Sequence, residues 1–346
     1  MMKLLVTGGA GFIGTNFIRY WRQHHPDDTL INLDLLTYAG NPSNLTDIAK
    51  TLPTKRYKFV HGDILDTTFV EDILKTERPD VIVNFAAESH NSRAILHPRR
   101  FFETNVMGTQ VLLDAARKYG VARFHHISTC EVYGELALDS PDMFSENAPY
   151  RPQTPYNASK AAADHLVNAY FHSFGTPITI SNCANNYGPY QHPEKLIPLF
   201  TTNALQNLPL TLYRSSHNRR EWLHVEDHCR AVAAVITRGK IGETYNVGSG
   251  VEKSIEEISD FILDTLGKPQ ALKTYVPDRP GHDCRYLLDS GKIARDIGWQ
   301  PKIPFEVGMR ETIQWYIDNQ EWWQTIQQQA DSETVQEDKW ETFTRR

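Results

Sequence analysis

An α/β fold is predicted here: a doubly wound parallel sheet with a smaller, interleaved α/β lobe. Three observations predict it. Short apolar runs alternate with helical patterns through the first half of the 346-residue chain, the mark of βαβ units. A glycine loop joins the first apolar run to the first helical pattern. Beyond Tyr187 the alternation loosens, and Pro189, Pro193, Pro198 and Pro209 punctuate it.

In chain order, strands are expected at Leu4–Val6, Leu30–Leu33, Lys58–His61, Val81–Phe85, Phe124–Ser128 and Ile178–Asn182. Helices are expected at Phe12–Gln23, Thr67–Thr76, Phe101–Tyr119 and Ala158–Phe174, with Gly120 and Gly175 as stops for the last two. Six strands that each need covering on both faces make a doubly wound sheet. Further on, Ala231–Thr237 reads as a helix, Thr244–Val247 as a strand, and Ile255–Leu266 as a helix ending at Gly267. Residues 1–187 are therefore assigned to the main domain, with about 221–250 returning to it. Residues 188–220 and 251–325 form the second lobe, and 326–346 a polar tail with a loose end.

The bulk composition narrows the function. Apolar residues make up 40% and the formal charge is −6, which argues against a nucleic-acid coat. Cys130, Cys183, Cys229 and Cys284 are widely spaced with no Cys-x-x-Cys pair, so no disulfide framework is indicated. No stretch is long and apolar enough to span a membrane, and the start runs straight into a strand with no secretion signal. A cytoplasmic location is expected.

Thr7-Gly8-Gly9-Ala10-Gly11-Phe12-Ile13-Gly14 follows the first strand and opens the first helix. Gly9, Gly11 and Gly14 have the dinucleotide spacing: they permit a tight turn, admit a pyrophosphate to the backbone, and aim a helix N-terminus at it. Asp34 stands twenty residues after Gly14 at the end of the second strand. A carboxylate there accepts from a ribose 2′-hydroxyl and repels a 2′-phosphate, which favours NAD over NADP. The sheet is thus of the Rossmann type. An ordinary glycine turn is the simpler alternative; the strand context and Asp34 weigh against it.

Tyr156-Asn157-Ala158-Ser159-Lys160 sets Tyr and Lys four apart on one helix face. A free tyrosine titrates near ~10. A nearby ammonium and a cationic nicotinamide ring would lower it, so that Tyr156 takes a proton from a sugar hydroxyl as hydride leaves. Alone, such a spacing is a common accident; its place after the loop and strands gives it force.

Taken together, these residues resemble the extended short-chain dehydrogenases that modify nucleotide sugars, and within them the dTDP-glucose 4,6-dehydratases. The likeness runs from Lys3 to about Trp323. It is carried by Ala86-Ala87-Glu88-Ser89-His90, Ser128-Thr129-Cys130-Glu131-Val132-Tyr133-Gly134 and Asn185-Asn186-Tyr187-Gly188-Pro189. Three stretches separate it from related 4-epimerases and decarboxylases: Pro193 to Pro198, Arg220 to His228, and Asp278-Arg279-Pro280-Gly281-His282-Asp283. The resemblance implies oxidation at hexose C4, loss of water across C5–C6 and return of hydride to C6. NAD is regenerated and would be held by Gly8, Gly11, Phe12, Ile13, Gly14, Asp34, Thr37, Asp63, Ile64, Ala86, Ala87, Ser89, Thr104, Tyr156, Lys160 and Asn186.

The resemblance assigns a ketone-binding hydroxyl to Thr129 and the C5 base to Glu131. The position of the acid, usually Asp, is Cys130. Other departures are Asn91 for Val, Ser92 for Asp and Cys284 for Arg. An unperturbed thiol near about 8.5 is protonated at neutral pH but is a weaker donor than a carboxylic acid. Cys130 as a slower acid, as the mark of a 5,6-dehydratase or 4-epimerase, as the scar of crippled dehydration that leaves a binding protein, or as inert filler all remain open.

By the same resemblance, His90, Thr129, Asn185, Lys195, Leu196, Tyr213, Arg220, Asn246, Asp278, Arg279 and His282 line the nucleotide-sugar pocket. Arg220 is the diphosphate candidate, since a guanidinium forks onto two oxygens, and Tyr213 could stack on the base. The family's glycine-rich stretch after that tyrosine is Arg214-Ser215-Ser216-His217 here, so a UDP sugar stands beside a dTDP sugar. His224, His228 and Cys229 have a metal-like spacing, but no step needs a metal and none is expected. Helices near Phe101–Tyr119 and Ala158–Phe174 would pair in a homodimer, as in relatives.

Overall fold

The computed structural model describes residues 1–53, 55–278 and 283–333. Twelve strands follow in order: β1 (Lys3–Thr7), β2 (Thr29–Asp34), β3 (Tyr57–His61), β4 (Val81–Asn84), β5 (Arg123–Thr129), β6 (Ile178–Cys183), β7 (Asn185–Tyr187), β8 (Leu210–Tyr213), β9 (Arg219–His224), β10 (Thr244–Val247), β11 (Glu252–Ser254) and β12 (Lys273–Val276). Seven of them form one parallel sheet in the order β10-β6-β5-β4-β1-β2-β3. The chain winds outward one way through β2 and β3, then crosses back to β4 and winds the other way. The crevice at the carboxyl ends of β1 and β4 is the topological switch point, where such sheets bind ligands.

Both faces of the sheet are covered, as parallel strands require. Alternate side chains split between two cores. Leu5, Ile31 and Ile82 pack under the helices Thr67–Glu77, Thr109–Tyr119 and Pro155–Phe174. Leu4, Val6, Leu30 and Val83 pack under Phe12–His24 and Val225–Arg238.

The expected Phe101–Tyr119 helix is a composite: Pro98–Phe102, a π-helical segment Glu103–Gly108, and Thr109–Tyr119. Such a widened turn often marks a functional site, and this one carries Thr104 and Asn105. The expected Ala158–Phe174 helix begins earlier, at Pro155, where Thr154 caps it by accepting from Asn157 N at 3.2 Å.

The return to the main sheet is made by the Val225–Arg238 helix and β10. β9 instead joins β7 and β11 in a three-stranded sheet, and β8 pairs with β12. These small sheets share a second core of Ile197, Phe200, Leu212, Ile258, Phe305 and Met309. The segment near Tyr286 to Trp299, expected in the lobe, packs with Tyr133, Ala161 and Tyr245 at the β10 edge of the main sheet. The polar stretch after Asp318 forms a helix, Gln320–Glu333, anchored by the buried Trp323. Trp340 lies outside the described residues.

Candidate active site

The glycine loop is built by close approach. Gly8 has φ +69°, and a Cβ there would stand 2.7 Å from Ala86 N, at the end of β4. A Cβ on Gly14 would meet Gly8 O at 2.3 Å. Neither position tolerates a side chain. Gly11 precedes the Phe12–His24 helix with no side-chain cap, and no acidic residue stands in that helix's first turn. The positive end of its dipole therefore faces the crevice uncompensated, as an anion requires.

Asp34 closes β2 with both oxygens fixed: Oδ2 accepts from Ala10 N at 2.9 Å and Oδ1 from Leu36 N at 2.8 Å. Burial raises its pKa, while those two amides oppose the rise.

A cavity of roughly 580 Å³ runs from this loop to the end of β5. Gly8, Gly11, Phe12, Ile13, Gly14, Asp34, Thr37, Asp63, Ile64, Ala86, Ala87, Ser89 and Thr104 line one end; Thr129, Glu131, Tyr156, Lys160, Asn185, Asn186 and Lys195 line the other. Sequence reasoning missed Glu88, Arg100, Gln191 and His192 in the same wall. Glu88 lies inside a stretch already singled out, and Arg100 pairs with it at 2.7 Å.

Tyr156 and Lys160 project from the same helix. Lys160 Nζ donates to Ile127 O at 2.7 Å and lies 3.3 Å from His126 Nε2. The Thr129 side chain lies near the Tyr156 hydroxyl and favours its ionised form. Burial pushes Tyr156 well above its ordinary pKa, helped by the negative influence of Glu131, Cys183 and Cys130, with only Thr129 opposing. The expectation joined the Lys160 ammonium to a cationic nicotinamide ring; burial in the chain itself favours the neutral phenol. The enclosed protein holds a neutral phenol, and a cation brought beside it is what would make it a base.

Thr129 and Glu131 meet through the short 3₁₀ turn Cys130–Tyr133, where Glu131 N donates to Thr129 Oγ1 at 3.3 Å. Glu131 Oε2 accepts from Asn91 Nδ2 at 3.1 Å, and Asn91 Oδ1 accepts from Thr154 Oγ1 at 2.9 Å. The intervening Cys130 points the other way. It is 1% exposed, packs with Val132, Tyr133, Ala161 and Cys183, and does not line the cavity. Burial, then the charge of Glu131, pushes its thiol well above the usual range. It keeps its proton but is not placed to hand it to a ligand.

The expected nucleotide-sugar residues are scattered. Asn185 and Lys195 reach the cavity wall. His90 stands at its edge, 3.7 Å from Glu194. Leu196 opens the helix Leu196–Leu205, Tyr213 ends β8, and Asp278 accepts from Ser215 N at 3.2 Å. Arg220 is buried: its guanidinium donates to the carbonyls of Arg219, Cys284 and Asp283 and lies over the Tyr286 ring. Asn246 is placed away from the cavity. It is fully buried on β10, its amide nitrogen donating to Phe144 O and its oxygen accepting from Tyr133 Oη. Arg279 and His282 lie outside the described residues.

The metal-like spacing resolves into separate structural tasks. His224 Nδ1 accepts from Glu226 N, His228 Nδ1 bonds Asn186 Oδ1 at 3.0 Å, and Cys229 sits in the core under the first helix.

A switch-point crevice, a glycine phosphate loop and a Tyr-x-x-x-Lys helix define an extended short-chain dehydrogenase. The sequence pattern of GDP-mannose 4,6 dehydratases matches residues 5–312, and the chain belongs to that family. A dTDP-glucose 4,6-dehydratase of Salmonella typhimurium is 47% identical, the alignment covering 93% of this chain and 94% of that one. The crystal structure of a dTDP-glucose 4,6-dehydratase of Streptomyces venezuelae, solved with NAD bound, is 46% identical with a TM-score of 0.90, covering 94% of this chain and all of that one. A UDP-glucose 4-epimerase of Thermotoga maritima, solved with UDP-glucose, has a TM-score of 0.84 at 27% identity over 92% of this chain and all of that one.

Proposed function

We propose that the chain is an NAD-dependent nucleotide-sugar 4,6-dehydratase that converts a hexose to its 4-keto-6-deoxy form. The observation that carries this reading is the meeting of Thr129, Glu131, Tyr156 and Lys160 at one end of the cavity whose other end is the glycine loop. The relatives' names point to dTDP-glucose as the sugar nucleotide.

The residues present fit the dinucleotide: side-chain-free Gly8 and Gly14 would leave room for a pyrophosphate, the uncapped helix would face it, and Asp34, in the wall of the same cavity, would hold a ribose. When bound, NAD supplies the acceptor, and later the donor, of a hydride. The chain's own work is proton traffic. Tyr156, with Lys160 one helical turn on and Thr129 in the same wall, takes the proton of the C4 hydroxyl. Thr129 then donates to the C4 ketone, which acidifies C5–H. Glu131, steadied by Asn91, removes that proton and passes it to the departing C6 oxygen, which leaves as water; hydride then returns to C6, and the proton that Tyr156 took from the C4 hydroxyl, relayed through water, restores C5–H.

The burial of Cys130 favours a second reading on one point: elimination is slow, or stops, for want of an exposed acid there. Incubation with dTDP- and UDP-hexoses and NMR of the products in deuterated water tests both. A C6 methyl group is the expected result. A vinylic methylene marks a 5,6-dehydratase, an inverted C4 an epimerase, and unchanged sugar despite tight binding a non-turning binding protein.

A homodimer is also proposed. Phe102, Met107 and Phe174 are exposed on the helices suited to such contact. Sedimentation giving a monomer at micromolar concentration would remove that proposal. A cytoplasmic location agrees with the finding that no described helix is long and apolar enough to cross a membrane.

A further inference from the structure

Behind Lys160 lies a second set of buried polar groups that the chemistry above does not use. Asp164, one helical turn beyond Lys160, is fully buried. Its Oδ2 accepts from Ser128 Oγ at 2.7 Å and from Tyr150 Oη at 3.0 Å. Its Oδ1 faces His126 Nε2 at 3.5 Å.

The hydrogen-bond network assigns the state of His126. Thr7 Oγ1 donates to Asn84 Oδ1 at 2.7 Å, and Thr109 Oγ1 donates to Asn105 O. Asn84 Nδ2 is therefore the donor toward both Thr109 Oγ1 and His126 Nδ1, each at 3.2 Å. A protonated Nδ1 would set two donors against each other, so the imidazole is neutral with its proton on Nε2. Burial drives His126 the same way. The Nε2 proton then lies between Lys160 and Asp164. Lys160 as an ammonium cannot donate to that nitrogen, and Asp164 Oδ1, which makes no hydrogen bond, stands 3.5 Å from it.

Among the described residues every donor to Asp164 is thus a neutral group, and Lys160, one turn earlier on the same helix, is the buried cation that acts on it. The groups facing this pair are His126 and Ser128 from β5, Cys183 from β6, Tyr133 and Tyr150 from the following loop, and Tyr156 from the helix itself. Burial holds Cys183, at about 12, and both loop tyrosines neutral. Asp164 alone is left to carry negative charge.

We propose that Asp164 is a positioning residue whose carboxylate is the buried counter-charge that keeps Lys160 protonated and so able to act on Tyr156. This rests on the reading of Tyr156 and Lys160 as the proton-transfer pair. An ammonium in so dry a place is disfavoured by burial, and Asp164 is foremost among the influences opposing that loss. Asp164, raised to about 6 by burial, is still ionised at neutral pH.

The sign of the effect follows. Removing the carboxylate lets Lys160 lose its proton at lower pH. Tyr156 then lacks its neighbouring cation and ionises at higher pH. Asp164→Asn should therefore move the acid limb of sugar oxidation, read as NADH absorbance in a single turnover, upward by about one pH unit or more. The tyrosinate absorbance of Tyr156, taken as the difference from Tyr156→Phe, should move with it. Asp164→Glu should keep the unaltered profile. If Asp164→Asn does not fold, Tyr150→Phe removes one donor, raises the carboxyl's own pKa and should give a smaller upward shift.

Limbs that stay in place or move downward in a folded variant overturn the proposal, as does a shift in Asp164→Glu equal to that in Asp164→Asn. If the unaltered protein forms no NADH, the functional reading fails; the tyrosinate titration then still decides the role of Asp164.

Discussion

Asn91 Nδ2 donates to Glu131 Oε2 at 3.1 Å, tying the proposed C5 base to the residue that Thr154 also holds. The contact fixes the carboxylate while leaving it in the cavity wall. Asn91→Ala should slow elimination about ten- to 150-fold, the loss of one hydrogen bond to a charged group at about 1.5–3 kcal/mol, with NAD affinity unchanged. Deuterium wash-in at C5 of the 4-keto sugar is the measurement. An unaltered exchange rate would show that Glu131 needs no such support.

Cys130 poses the opposite question. Asp at this position would place a stronger acid on the inner face of the Cys130–Tyr133 turn, among Val132, Ala161 and Cys183. Cys130→Asp is expected to lower the melting temperature, since a carboxyl has to enter an apolar site, and to raise the rate of C6 methyl formation if the turn rotates to expose it. No gain in rate, with the loss of stability, would mean that the acid comes from elsewhere in the cavity.

At the other end of the cavity the decisive residues have no side chain. Gly14→Ala would bring a methyl group to 2.3 Å from Gly8 O and 2.7 Å from Gly9 Cα. Overpacking of this kind costs about 1–3 kcal/mol, and it displaces the backbone meant for the pyrophosphate. NAD titration by tryptophan quenching should show at least a tenfold weaker complex. Binding as tight as in the unaltered protein would remove the loop from the cofactor site.

Tyr156→Phe should lower sugar oxidation by about 10²- to 10⁴-fold, the usual worth of a positioned acid–base group, while NAD still binds. Oxidation near the original rate would dismiss Tyr156 as the proton acceptor.

Stability should fall as the solution is acidified from pH 6.5. His125 and His228 are lowered by burial to about 3, His224 to about 4, and His126 well below its ordinary value. Between those values and about 6.5 the unfolded chain binds protons that the folded one refuses, so unfolding gains. His192 is lowered in the same sense, while Asp164, at about 6, Glu221, at about 7, and Asp34 work the other way, three groups against five. Each net proton is worth about 1.4 kcal/mol per pH unit. The urea midpoint should be lower at pH 5 than at pH 7; a higher one would mean that the histidines are not buried as described.

Legibility in the sequence followed the range of the interactions. The strands of the main sheet, the glycine loop, Asp34 and the Tyr156–Lys160 helix announce themselves through local spacing. β8 and β12 do not, because each is four residues long and finds its partner some sixty residues away. The π-helical segment at Glu103–Gly108 has no compositional signature. Asn246 and Arg220 sit in recognisable stretches, but which way a side chain faces depends on the neighbouring strand, and both face inward. The helix Gln320–Glu333 reads as a polar tail until Trp323 meets its pocket and Trp322 Nε1 reaches Asn44 Oδ1.

That last bond joins the end of the described chain to the loop following β2. Elsewhere the Val225–Arg238 helix, which follows β9 of the small sheet, packs on the main sheet, and Trp299 Nε1 reaches Asp227 O on that helix. A chain laced back and forth in this way has no single hinge about which its halves could swing apart. Entry and exit of a large sugar nucleotide would then depend on local give in the loop around His192, and cutting the lobe away would leave exposed core on both pieces.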